Sequence, residues 1–170
     1  MHFIHTKVKG FTLIELVMVL VILSILAALA FPRFSDLSSA SKAASIESIA
    51  GSMRSTVGII RSKAYVQGLS VSASNPGDQS AYLVTTEAGT SEVDWRNLCP
   101  ESSAELSDSL DMPDHIGLSA EGDLSILVDN RYTQVGYGLS GGPPPPTGCY
   151  VVYDSFGDPD CTITIVTNNC

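Results

Sequence analysis

From Phe11 to Phe31 the chain is apolar at every position except Thr12, Glu15 and Ser24. As a helix rising about 1.5 Å per residue, these 21 residues span roughly 30 Å, the thickness of a bilayer core. Beyond them the pattern changes. From Phe34 onward, Leu37, Ala40, Ala44, Ile46, Ile49, Met53, Val57, Ile60 and Ala64 recur mostly every three or four residues, which makes one apolar helix face. The pattern ends near Gly68. Together the two runs predict one helix from Phe11 to about Val66, on the order of 80 Å long, whose second half alone can be covered by a small head.

The rest of the chain predicts short elements. "SAYLVTT" at 80–86 reads as a strand, and "CPESSAELSDSL" at 99–110 as a short helix with Pro100 in its first turn and Glu101 and Glu105 behind it. Then come "LSILV" at 124–128, "YTQVGYGL" at 132–139, "CYVVY" at 149–153 and "TITIV" at 162–166, separated by turn residues. They predict two hairpins forming an antiparallel sheet of four strands. The fold class is therefore α+β: a long N-terminal helix packed on a C-terminal four-stranded sheet. "GGPPPPTG" at 141–148 joins the hairpins as a stiff surface loop of extended, polyproline II character.

Charge orients the chain. His2, His5, Lys7 and Lys9 precede the apolar run without any acid, so this flank is expected to stay cytoplasmic while the remainder is translocated. A secretory signal cut at "AALAFP" (27–32) is the competing reading. Against it stand the length of the apolar run and the helical pattern that continues past it. Up to Lys63 there are seven basic and three acidic residues, and from Ala64 on two basic (Arg96, Arg131) and fifteen acidic ones. An acidic head argues against nucleic acid as a partner along its surface.

Within this frame Glu15 is the anomaly, because a charge in the hydrocarbon costs roughly 2.5–3.5 kcal/mol on insertion scales and is a functional hypothesis by default. The residues around it, "KGFTLIEL", combine a short basic leader ending in Gly10, then Phe11, Thr12, Leu13, Ile14 and Glu15, and an apolar helix. This resembles the processing site of type IV pilins and their relatives. The resemblance implies that a prepilin peptidase cuts between Gly10 and Phe11 and methylates the new Phe11 amine. It implies further that Glu15 neutralises the Phe11 amine of a neighbouring subunit during assembly, and that Thr12 and Pro32 belong to the assembling helix, with a locally unwound segment before Pro32 in the fibre. Inside a helix, Pro32 also removes one backbone donor and clashes with the preceding turn.

Cys99, Cys149, Cys161 and Cys170 all lie in the exported part, where disulfides form. A Cys161–Cys170 bond is disfavoured, since "TITIVT" as a strand holds those ends roughly 20 Å apart. If "DSFGDPD" at 154–160 turns the last hairpin, Cys149 and Cys170 become neighbours, leaving Cys99 with Cys161. A terminal pair opening on a "CYVxY" strand is also similar to pilins of the mannose-sensitive haemagglutinin class.

No metal or cofactor is expected. The cysteines lack C-x-x-C spacing and His115 is the one histidine left after processing, which speaks against zinc. Asp154, Asp158 and Asp160 crowd one turn and are the candidates for calcium, though Asp and Gly are ordinary turn formers. No nucleophile and base are recognisable, so an enzyme is not expected.

The expected organisation is a leader at 1–10, a transmembrane and assembly helix at 11–32, and a pilin head at 33–170 that includes the amphipathic second half of the helix. The expected role is a structural subunit of a type IV pilus, homopolymeric, held in the inner membrane with its N-terminus inside before assembly and extracellular afterwards. Its partners would be prepilin peptidase and the pilus assembly machinery. The alternatives are a pseudopilin of a type II secretion system and an anchored periplasmic protein of unrelated activity.

Overall fold

The computed structural model describes residues 10–106, 108–157 and 160–170, without the side chains of residues 30–36. The basic flank from His2 to Lys9 and the acid Asp158 lie outside the described residues, as does the side chain of Pro32. The chain divides into two compact units, Met1–Ser39 and Ala40–Cys170.

Helix α1 runs Leu13–Val66, and its helical assignment continues through Pro32. No unwound segment before Pro32 interrupts α1 in the described chain. In the first unit the side chains of α1 from Leu13 to Leu29 are exposed. Among the described residues no helix is long and apolar enough to cross a membrane. The expected crossing by Phe11–Phe31 is therefore left without support among the described residues, although α1 itself continues through that stretch.

In the second unit α1 buries Ile46, Ala50, Met53, Val57, Ile60 and Ala64. Their alternating spacing of four and three keeps them on one face of a 3.6-residue helix. The expected stripe therefore holds from Ile46 onward, whereas Leu37 and Ala44 are exposed. The helix stops at Gly68, whose φ of 83° only glycine adopts cheaply. There the N–H groups of Gly68 and Leu69 donate to the carbonyls of Tyr65 and Ala64, both at 3.0 Å, the bond pair of a Schellman closure.

The sheet is an antiparallel meander of β3 (Leu124–Val128), β4 (Tyr132–Tyr137), β5 (Cys149–Asp154) and β6 (Thr162–Val166), in that spatial order. All four strands were expected. The register pairs Val135 with Val151 and Gly136 with Tyr150. A side chain at Gly136 would collide with the Cys149 carbonyl and the Tyr150 backbone. Ile46, Ala50, Met53 and Val57 of α1 form one core with Val135, Val151 and Tyr153 of the sheet. This is the pilin-like α+β arrangement.

A second cluster, made of Ile60, Ala64, Val84, Val93 and Leu98, lies under a small hairpin of β1 (Leu83–Thr85) and β2 (Thr90–Glu92). Two expectations are corrected here. The strand predicted at 80–86 is reduced to β1, because Gln79–Tyr82 forms a 3-10 turn capped by the Asp78 side chain. The helix predicted at 99–110 does not form. The N–H of Glu101 instead donates to the Glu92 carbonyl at 2.8 Å, and Pro100 bridges Val93. Those backbone groups are therefore engaged by β2 rather than by a helical ladder, and the segment becomes an extended strap. A single turn, α2 (Met112–His115), follows it with Asp111 as its N-cap.

Candidate functional site: the helix start and the stapled head

The processing residues sit at the open beginning of α1. Gly10 and Phe11 precede the helix and are exposed, Phe11 at 73 %. Thr12 caps the helix in a reciprocal arrangement with Glu15. The Thr12 N–H and hydroxyl donate to Glu15 Oε2 at 2.9 and 2.6 Å, and the Glu15 N–H donates to Thr12 Oγ1 at 3.3 Å. This is a capping box, T-x-x-E, and it satisfies donors that the first helical turn leaves orphaned. The signal was present in "TLIE", but the family motif drew attention to the acid alone. Beyond the cap, α1 shows Leu13, Ile14, Leu16 and the residues to Leu29 all exposed, a contiguous apolar surface of the kind that marks interaction with partners or lipid.

The head is stapled twice. Cys99 bonds Cys161 and Cys149 bonds Cys170, with Cα separations of 5.6 and 4.7 Å, as the strand pattern predicted. The first bond ties the strap to the turn before β6, and the second closes the open end of the β5–β6 hairpin. Hydrogen bonds reinforce the strap: Tyr153 OH donates to the Pro100 carbonyl at 2.6 Å, and the Ser102 and Thr133 hydroxyls share a bond of 2.7 Å.

Where the strap meets β2 and the turn after it lies a group of buried acids, of which the sequence had marked Glu101 only as a helix-start residue. Glu92 Oε2 accepts from the N–H groups of Glu105 and Leu106 at 2.8 and 3.1 Å. Asp94 accepts from the Arg96 N–H and from Nη1, both at 2.6 Å. Glu101 is 5 % exposed and its Oε2 has no partner. Burial pushes the Glu101 carboxyl up to about 8, and the charges of Asp94, Glu92 and Glu105 add to this while Arg96 opposes it. Asp94 is likewise raised by burial, against the pull of Arg96.

The two calcium candidates among the described residues are engaged by arginines. Asp154 holds Arg131 with two bonds of 2.9 and 2.8 Å, and Asp160 pairs with Arg61 at 2.6 Å. Among the described residues no group of three or more His, Cys, Asp or Glu side chains is placed to hold a metal ion. His115 ends α2 beside a cleft of about 360 Å³ lined also by Ile59, Lys63 and Glu87. Burial lowers its pKa, so the imidazole is neutral at pH 7, and its Nε2 has no partner.

The comparisons with curated proteins and with solved structures return no match. A family model, the prokaryotic N-terminal methylation motif, matches residues 5–31. That motif fits a type IV pilin or a pseudopilin, implies processing by a prepilin peptidase, and indicates a structural protein rather than an enzyme. With Gly10, Phe11 and Glu15 inside the matched span, the chain carries the signature of a type IV pilin-like prepilin.

Proposed function

We propose that the chain is a structural subunit of a type IV pilus, most like the mannose-sensitive haemagglutinin class, which polymerises through α1 for surface attachment and motility. The observation that carries this reading is the methylation motif opening on a helix whose apolar side chains from Leu13 to Leu29 are all exposed. Such a surface needs lipid before assembly and other copies of the helix afterwards. Cleavage between Gly10 and Phe11 leaves an amine that is cationic at neutral pH, since α-amino groups titrate near 7.7–8.0. Each Phe11 amine then pairs with the Glu15 carboxylate of a neighbouring copy, and the two charges are buried together rather than singly. Before assembly the precursor is held in the inner membrane by its apolar helix, N-terminus inside; afterwards it is extracellular. A two-disulfide head and a proline-rich loop suit a fibre exposed outside the cell, which favours a pilus over a type II secretion pseudopilin.

Mass spectrometry of sheared surface filaments tests the reading. The expected subunit begins at a methylated Phe11. A subunit beginning at Met1 or after Ala30, or cells whose surface fibres lack the protein, would overturn it.

A further inference from the structure

We infer that residues 100–106 of the strap form a proton-operated latch: with the Glu101 carboxyl protonated the segment lies closed against the head, and loss of that proton lets it swing out while the sheet stays folded. The latch concerns the head alone and needs no assembled fibre. One end of it is fixed. Leu98, at φ 61°, sits in the left-handed region, which a bulky side chain occupies only where its surroundings hold it there. They do so here. The Leu98 N–H donates to the Asp94 carbonyl at 2.8 Å, its side chain is fully buried, and the neighbouring Asn97 amide donates to the Ser155 carbonyl at 2.9 Å. Cys99 is then bonded to Cys161. What can move therefore begins at Pro100, on the far side of a covalent tether.

The Val93–Pro100 bridge sets Glu101 opposite Glu92, and the Glu101 N–H donates to the Glu92 carbonyl at 2.8 Å. Residues opposite each other in an antiparallel pair share a face, as do residues two apart on one strand. Glu92, Asp94 and Glu101 consequently rise on the same side. Glu92 and Asp94 are buried and Glu101 is 5 % exposed, and one oxygen of each glutamate, Glu92 Oε1 and Glu101 Oε2, has no hydrogen-bond partner among the described residues. The groups facing Glu101 are Glu92 from β2, Asp94 and Arg96 from the turn after it, Glu105 from the segment itself and the Tyr153 phenol from β5. Arg96 is the cation of this set, and its Nη1 is already on Asp94 at 2.6 Å. Arg61 of α1, which acts on Tyr153, is paired with Asp160. An ionised Glu101 would thus lie buried beside Glu92 without a partner, so the closed form keeps the proton.

Polar contacts hold the segment down. The N–H groups of Glu105 and Leu106 donate to Glu92 Oε2, the Tyr153 hydroxyl to the Pro100 carbonyl and the Ala104 N–H to Asp111 Oδ1 at 2.6 Å, and the Ser102 and Thr133 hydroxyls are bonded to each other. Water can replace each of these when the segment lifts, so their net contribution is modest. Neither Ala104 nor Leu106, the apolar side chains after Pro100, belongs to either buried cluster, and segments with little buried apolar surface open below the global transition. Closed, the Glu101 carboxyl is pushed up to about 8 by burial, with Asp94, Glu92 and Glu105 adding and Arg96 opposing; open, it returns to its ordinary 4.5. The closed form therefore holds a proton that the open form releases. Closure is strongest below pH 4.5, and the opening constant climbs roughly tenfold per pH unit until about 8, above which it is level.

Hydrogen exchange of the detergent-held full chain, read by mass spectrometry with each rate divided by the intrinsic rate at its pH, tests the latch. Between pH 6 and pH 8 the opening constant of the Glu101, Glu105 and Leu106 amides should climb roughly a hundredfold, while that of the β5 amides stays put. Between pH 8.5 and pH 9.5 it should be level. Glu101→Gln should keep the segment closed across the whole range. Asp94→Asn, which retains an oxygen for the Arg96 N–H, should preserve the climb but level off at a lower pH. A flat opening constant in the native chain, a climb shared equally by β5, or a climb that persists in Glu101→Gln overturns the latch. Should Glu101→Gln fail to fold, Asp94→Asn decides, and a plateau that begins where the native one does overturns the latch.

Discussion

Two roles fall on the side chain of Glu15, and mutation separates them. In the single chain its carboxylate closes the first turn of α1 with Thr12, and in the proposed fibre it meets the amine of another copy. Thr12→Val removes the cap hydroxyl, at about 1 kcal/mol of helix stability, and should leave filament yield near native. Glu15→Leu removes both functions and should abolish or sharply reduce sheared filaments while membrane-held subunit persists, which paired immunoblots read. Equal losses from both variants would show that capping, not docking, is what assembly needs. Glu101 yields a second prediction at this scale. Its folded carboxyl titrates near 8 against 4.5 for the free group, so the folded head holds a proton that the unfolded chain releases. That stability is fully present below pH 4.5 and is lost as pH rises through 8, at most about 5 kcal/mol by linkage. Glu92, Asp94, Glu105 and Tyr153 surround the group with further acid, and Arg96 is the facing cation. Glu101→Gln should therefore melt higher than native at pH 9 and about equally at pH 4; parallel curves between those limits would refute the assignment. The cap was legible in the T-x-x-E spacing of Thr12 and Glu15, whereas the burial of Glu101 was not. Glu101 looked like first-turn helix chemistry, and what fixes the strap that carries it are distant partners, Glu92, Tyr153 and Cys161.

Among the elements, those set by local periodicity were readable. The stripe from Ile46 to Ala64 and the strands at 124–128, 132–137, 149–153 and 162–166 carry their own pattern, and the β3–β4 and β5–β6 pairings follow from the turns between them. The segment at 99–110 was not readable. Pro100, Glu101 and Glu105 give a good helix start by propensity, yet Cys99 is bonded to Cys161 and the Glu92 carboxylate takes the N–H groups of Glu105 and Leu106. Tertiary partners outbid a weak local preference. The disulfides could be paired in advance because strand length disfavoured a Cys161–Cys170 bond and the turn at 154–160 brought Cys149 beside Cys170. They differ in the loops they close, with sequence separations of 62 for Cys99–Cys161 and 21 for Cys149–Cys170. In the chain-entropy model these correspond to about 4 and about 3 kcal/mol. Replacing Cys99 and Cys161 by Ser should accordingly lower the urea midpoint of the detergent-held chain more than replacing Cys149 and Cys170. The reverse order would show that native-state contacts, rather than loop closure, set the contribution.

At the scale of the whole molecule, sequence already separated a basic, apolar N-terminal part from an acidic head, and the structure divides the chain at Ser39 and Ala40. A fibre built from such subunits presents an anionic exterior, which keeps fibres apart and disfavours nucleic acid along the shaft. The proposed fibre would also bear tension, and here the two staples have a mechanical consequence. A load applied between α1 and Cys170 travels through the Cys99–Cys161 bond and bypasses the strap, the sheet's first three strands and the proline loop. Only residues 67–98 and 162–169 can straighten, which limits the tether released by one head to about 140 Å, against about 360 Å once both bonds are reduced. Single-molecule extension of the full chain with and without a thiol reductant measures both lengths, and a long release under oxidising conditions would show that the load does not run through the sulfurs. With the staples closed, a head that yields lengthens its tether briefly and then stops, which in the proposed pilus would brake an attached cell rather than cast it off.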